Sequence, residues 1–181
     1  TLWGPENGLR ENGVISLLAD REGTIWFGYN GNGLQQWIGE EWSHRTIWDP
    51  ARPSRKAQVF GIAGTSDGGF LAAVFALGVW RWDGRKLERL SREEGINEDV
   101  WCAIEPEPGV IWVGARRGLF GSRRGQRFEK LFALPSGFVH GLHRSPDGIW
   151  YASTSTAGLF RLSHGRWSLA EEINRSLPDP A

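Results

Sequence analysis

The chain has 181 residues, 40 % of them hydrophobic and 23 % charged, which fits a folded globular protein and excludes a disordered one. Its 21 basic and 21 acidic side chains cancel, so no net field would gather nucleic acid or an anionic membrane, and neither is expected as a partner of this segment. No apolar run approaches the ~20 residues a bilayer span needs, and the single cysteine, Cys102, excludes an intrachain disulfide.

Methionine is absent, position 1 included, so the chain reads as a piece of a longer protein. Eleven tryptophans and 25 glycines describe many tight turns joining strands that bury large flat side chains. In chain order, residues 1–7, with Leu2-Trp3, read as the outer strand of a preceding unit. Residues 8–54 then hold four short strands, Val14 to Asp20, Thr24 to Gly28, Gly33 to Trp37 and Glu41 to Thr46, joined by Gly-containing turns. The reading repeats over 55–94, 95–133 and 134–170, and residues 171–181, helix-compatible from Glu171 to Leu177, connect onward. Pro50, Pro53, Pro106, Pro135 and Pro146 fall between strands, where a missing N–H costs no ladder bond.

The units are copies of one pattern. Asp20-Arg21-Glu22-Gly23-Thr24-Ile25-Trp26-Phe27-Gly28 followed by Gly33-Leu34 returns as Asp67 to Ala73 with Gly78-Val79, Pro108 to Gly114 with Gly118-Leu119, and Asp147 to Ala152 with Gly158-Leu159. The Gly markers at 33, 78, 118 and 158 give intervals of 45, 40 and 40 residues. A period of ~40 to 45 with several short strands per repeat is the signature of a β-propeller blade. The predicted fold is therefore all-β: about four four-stranded antiparallel blades, part of a larger propeller of about seven.

Aligning first strands places Val14, Val59, Val100 and Val139 in one column and the small residues Ser16, Gly61, Cys102 and Gly141 two positions on. Such a column is expected where the neighbouring blade comes close, so Cys102 reads as a small buried residue, with no His or Lys beside it to make it reactive. Trp26, Leu71, Trp112 and Trp150 are expected to wedge between adjacent blades.

The succession of strand, Asp-x-x-Gly, Ile-Trp-Phe-Gly, loop and Gly-Leu resembles the two-component regulator propeller repeat, with Gly8-Leu9-Arg10-Glu11-Asn12-Gly13-Val14 and Gly95-Ile96-Asn97-Glu98-Asp99-Val100 matching its lead-in. The similarity runs from Gly8 to Leu169. Leu71, Ala72-Ala73, Pro106 and Ala152 depart from the pattern. The resemblance implies a periplasmic or otherwise extracytoplasmic sensory segment, not itself an enzyme, of a membrane-bound histidine kinase, hybrid regulator or diguanylate cyclase. Its partners would be the remaining blades and output domains of that receptor.

Ligands of propellers are expected at the channel mouth, on the loops between strands two and three and those leading into strand one. Candidate ligand-binding residues there are Asn12, Tyr29, Asn30, Asn32, Phe75, Asn97, Asp99, Arg116, Arg117, His140, Thr154 and Thr156. A small molecule, with a saccharide as the candidate class, is the expected ligand. Arg116 and Arg117 belong to that end, whereas Arg123, Arg124 and Arg127 belong to the opposite turn, so they form no single anion site. Glu105 and Glu107 read as solvated. His140 and His143 make a poor metal pair, and no cofactor motif is present. Two alternatives compete: a propeller enzyme of lyase or glycosidase type, for which only Asp99, His140 and Glu98 are acid–base candidates, and a protein-docking scaffold.

Overall fold

The computed structural model describes residues 4–39, 41–45, 56–90, 96, 99–123 and 126–176. The expectations for Leu2, Trp3, Pro50, Pro53, Asn97, Glu98 and Arg124 fall outside these residues.

The strands are β1 (Val14–Ala19), β2 (Ile25–Gly31), β3 (Leu34–Ile38), β4 (Glu41–Arg45), β5 (Ala57–Gly64), β6 (Phe70–Val74), β7 (Gly78–Trp82), β8 (Leu87–Arg89), β9 (Val100–Glu107), β10 (Val110–Arg123), β11 (Glu129–Arg144), β12 (Trp150–Thr154), β13 (Leu159–Ser163) and β14 (Arg166–Leu169), followed by one short helix, α1 (Glu171–Ser176). Their ladders are antiparallel. Two strands each do the work of two. Val110 to Ala115 of β10 pair with β9, whereas Gly118 to Gly121 pair with the first part of β11. The bend falls at Arg117 and Gly118, with φ 61° and 151°. The later part of β11 pairs with β12. Counted by these halves, the strands form four four-stranded units, numbered blades 1 to 4, and the architecture is a β-propeller.

The Asp-x-x-Gly motif closes the first turn of blade 1. Asp20 Oδ1 accepts the amides of Glu22 and Thr24 at 3.0 and 2.9 Å, and Oδ2 accepts the indole N–H of Trp26 at 3.0 Å. Gly23 lies at φ 82°, a region that an L side chain enters at a cost. In blade 3, where Pro106 displaces the aspartate, Glu105 takes over. It accepts the amide of Gly109 at 2.9 Å and, across the blade boundary, that of Ser66 at 2.5 Å. Glu105 is thus bonded in a turn rather than solvated, a correction that follows from two amides with no ladder partner near one carboxylate. Arg21 reaches the Ser66 carbonyl from the other side, so the turns of three blades meet around a cleft of ≈ 400 Å³.

The core is laid down as three seams. Trp26 is 2 % exposed and stands against Phe70 and Trp82 of blade 2, with ring centroids 4.7 and 5.3 Å away. Leu71, Ala73 and Val79 of blade 2 pack on Val100, Ile111 and Val113 of blade 3. Trp112 of blade 3 meets Trp150 and Trp167 of blade 4 at 5.2 and 5.6 Å. Strand register corrects one expected column member. Leu18 pairs with Trp26, Ala63 with Leu71 and Ile104 with Trp112, and the matching pair in blade 4 is His143 with Tyr151. Trp150 is therefore one residue out and on the opposite face, where it receives Trp112, because a one-residue slip in a strand exchanges faces.

The small column faces the next blade as expected. Ser16 Oγ donates to the Val59 carbonyl at 2.7 Å, and a Cβ added to Gly61 would stand 3.1 Å from the Trp101 carbonyl. Burial pushes the Cys102 thiol up to about 12, offset in part by a bond to the Gly114 backbone.

Candidate ligand-binding wall

The innermost strands β1, β5, β9 and the later part of β11 stand side by side. Each carries the same irregularity. In β1 the register steps from Val14↔Tyr29 to Ser16↔Gly28, leaving Ile15 as an extra residue, and the same step leaves Phe60, Trp101 and His140 unpaired in their ladders. A bulge bends the strand and re-aims the extra side chain. Four blades thus project Ile15, Phe60, Trp101 and His140 from equivalent points of adjoining inner strands.

A second repeated contact fixes the loops beside them. An amide at or just past the end of strand two donates to the carbonyl that precedes the inner-strand valine: Asn30 to Gly13, Phe75 to Gln58, Arg116 to Asp99 and Ser155 to Phe138, at 2.9 to 3.1 Å. These two sets of residues interleave into one aromatic strip across blades 2 to 4. Phe60 meets Phe75 at 5.7 Å and Phe75 meets Trp101 at 5.4 Å. Trp101 stacks on Phe138 at 3.9 Å with planes 8° apart, and Phe138 meets His140 edge-on at 5.9 Å.

Polar groups border the strip. Gln58 Nε2 donates to Asn30 Oδ1, Arg116 Nη2 and Nε donate to Asp99 Oδ2 at 2.7 and 3.2 Å, and Ser153 Oγ lies 3.5 Å from His140 Nδ1. The Asp99–Arg116 pair is partly exposed and holds its charges mutually satisfied, so it offers hydrogen bonds rather than net charge. Flat rings edged by amide, carboxylate, guanidinium and imidazole suit a neutral ligand with both an apolar face and hydroxyl-like groups.

Of the residues expected at the site, the structure brings Asn30, Phe75, Asp99, Arg116 and His140 onto this wall. Tyr29 is fully buried, its hydroxyl bonded to Gln35 and facing the Arg10 amide, so it serves the interior. Thr154 is buried as well, its hydroxyl donating to the Gly158 carbonyl at 2.7 Å and closing its own turn. Asn32 is engaged by Glu11 at 2.5 Å and Thr156 by the Ser136 carbonyl at 3.0 Å, while Asn12 and Arg117 are exposed apart from the strip. Asn97 is outside the described residues. Phe60, Trp101, Phe138 and Gln58 join the wall without a sequence expectation, whereas Ser153 and Ser155 belong to an expected mouth loop. The signal for the first two was a large side chain set between a valine and a small residue, which plain alternation would turn away from the column. Among the described residues no group of three His, Cys, Asp or Glu side chains could hold a metal ion, and no helix is long and apolar enough to cross a membrane.

Residues 8–31 match the two component regulator propeller family model. No curated protein matches the chain significantly. Among solved structures, the extracellular domain of the hybrid two component system BT3049 from B. thetaiotaomicron superposes with a TM-score of 0.70 at 18 % identity, over 93 % of this chain and 24 % of that one. The extracellular domain of BT4673 from the same organism gives 0.66 at 19 % identity, over 84 % of this chain and 21 % of that one. Virginiamycin B lyase from Staphylococcus aureus gives 0.67 at 14 % identity, over 86 % of this chain and 54 % of that one. The chain spans about a quarter of the length of the first of these domains. It is a β-propeller segment that carries a two component regulator propeller repeat at residues 8–31.

Proposed function

We propose that this chain is a ligand-sensing, extracytoplasmic propeller segment of a two-component signalling receptor, non-catalytic itself, and that the strip from Phe60 to His140 holds the ligand. The observation that carries the reading is the bulge repeated in all four inner strands, which spends ladder pairing to aim one side chain per blade along the same wall. The repeat family and the two extracellular domains of similar fold support the setting. A saccharide is the ligand class with the matching surface: its C–H face lies on aromatic rings and its hydroxyls meet Asn30, Gln58 and the Asp99–Arg116 pair. Binding would signal only by favouring one arrangement of the propeller against its output domain through contacts that differ between the two.

The test is calorimetry of a panel of neutral mono- and oligosaccharides against the wild type and Trp101→Ala. The expected result is a saccharide that binds the wild type and is lost, by about tenfold or more, in the variant, since removing one ring of a stack costs ~1 kcal/mol beyond its buried area. A panel that binds nowhere, or binds equally to Trp101→Ala, rejects the assignment. The fold likeness to a lyase makes His140 the residue to watch for chemistry, and turnover of a bound saccharide that His140→Ala abolishes would replace sensing by catalysis.

A further inference from the structure

One position of the repeat is left unfilled in blade 3. Three residues after its marker glycine, each of the other blades sets a third-strand side chain beside the seam residue of its second strand: Gln36 beside Trp26, Arg81 beside Leu71 and Arg161 beside Tyr151. The equivalent in blade 3, three residues after Gly118, is Gly121, which pairs with Glu129 of the fourth strand as Gln36 pairs with Ser43 and Arg81 with Glu88. Nothing in the backbone asks for glycine there. Gly121 has no positive φ, and an added Cβ would first meet the side chain of Leu131, at 2.9 Å, which is 40 % exposed and has solvent to turn into.

The absent side chain leaves room in the seam. A cavity of ≈ 580 Å³ lies beside Gly121 and Trp112, and a second of ≈ 470 Å³ runs on to Trp167 of blade 4. Trp112 and Leu131 line both, so the two make one groove along the blade 3–4 seam, at the end of the blades opposite the aromatic wall. Its rim is charged. Arg123 and Arg127 border the first cavity and Arg166 the second, and among the described residues none of the three makes an ion pair. The turn that carries the first two is fixed in place: Ser122 Oγ donates to the carbonyls of Arg123 and Gln126 at 2.8 and 2.6 Å, and the Gln126 amide donates to the Arg123 carbonyl at 2.8 Å. Glu107 and Glu129 line the first cavity as well, so the three guanidinium groups outnumber the carboxylates by one.

We propose that this groove is a second ligand site, for an amphipathic monoanion. A flat aryl body lies against Trp112, Leu131 and Trp167, in the space that glutamine or arginine takes in the other blades, and its single carboxylate or sulfonate meets the arginines. Guanidinium groups suit that role because they offer paired N–H donors to a planar anion and stack on flat rings. The excess of one positive charge matches one negative charge, whereas a polyanion would also meet Glu107 and Glu129. Both walls belong to consecutive blades of this chain, and the site does not rest on the sensing role of the aromatic wall.

Calorimetry with 2-naphthoate as the probe tests this. One saturable site per chain is expected. Gly121→Gln, which restores the side chain found in blade 1, and the double substitution Arg123→Ala with Arg127→Ala should each weaken it by about tenfold or more, the scale of one lost charge-assisted bond. The uncharged isostere 2-naphthamide should bind about tenfold more weakly for the same reason, and Trp101→Ala should leave the site unchanged. Arg123 and Arg127 are exposed, so circular dichroism should show the strand signal retained in the double variant, which keeps the test in force if Gly121→Gln fails to fold. Absence of saturable binding overturns the proposal. So does equal binding of the amide, unchanged binding in the double variant or in a folded Gly121→Gln, or a site lost in Trp101→Ala, which would put the probe on the aromatic wall.

Discussion

The indole N–H of Trp26 donates to Asp20 Oδ2 at 3.0 Å, which ties the first turn of blade 1 to the ring that fills the seam with blade 2. The motif residue is thereby explained twice over. Its other oxygen organises the turn amides, and the indole would otherwise bury an unmatched donor. Asp20→Ala removes three acceptor contacts at once and should lower stability by about 2 kcal/mol, the range for losing a charged acceptor from buried donors. Asp20→Asn, which keeps an acceptor oxygen, should cost clearly less. Urea unfolding followed by tryptophan fluorescence measures both, and equal losses would show that the aspartate acts by charge alone.

Gly114 is held by close approach rather than by a turn. A Cβ there would stand 2.6 Å from the Val139 carbonyl of the next blade and would press on Cys102 Sγ. Backbone on one side and a buried sulfur on the other leave nothing flexible to move. Gly114→Ala should therefore destabilise by about 1–3 kcal/mol through overpacking, although alanine ordinarily favours ordered structure over glycine. An unfolding midpoint at or above the wild type's would mean that blades 3 and 4 separate more easily than this seam implies.

The period, the strand identities and the tryptophan seams were legible because each repeats at the spacing of a whole blade, so errors at one copy are outvoted by the others. Single-residue register was not. Residue type points to Trp150, whereas hydrogen bonding gives that column to Tyr151. Phe60 and Trp101 are hidden from strict alternation, which a bulge breaks at Val59-Phe60-Gly61 and Val100-Trp101-Cys102. Glu105 was misread for a related reason: its partner amide, Ser66, lies 39 positions earlier, and no local pattern encodes a bond between blades. Tyr29 looked like a loop residue, but Gln35 on the next strand draws its hydroxyl inward.

Glu105 should also make stability depend on pH. Burial raises its carboxyl, but the Ser66 and Gly109 amides outweigh that and hold it below its ordinary value of 4.5. For an acid held low in the folded state, the stabilisation is fully present above the unfolded value and is lost as pH falls through the folded one. The wild type should thus lose stability as pH drops below 4.5, and Glu105→Gln should lose less over the same interval while starting lower at neutral pH. Parallel pH profiles for the two proteins, by chemical unfolding, would assign the acid sensitivity to other carboxylates.

Cys102 supplies the last expectation. Its thiol is pushed up to about 12 from an ordinary 9.0, chiefly by burial at the contact between blades 3 and 4. The thiolate is the species that alkylates, so at pH 8 the native chain should react with iodoacetamide far more slowly than the urea-unfolded chain. Mass spectrometry of timed samples reads the difference directly. Because the sulfur sits against Gly114 and the Val139 strand, native labelling should also report opening of that seam: Gly114→Ala, which strains the same contact, should label faster than the wild type. Equal labelling of native and unfolded chains would place Cys102 at an accessible edge and remove the close approach on which the small column depends.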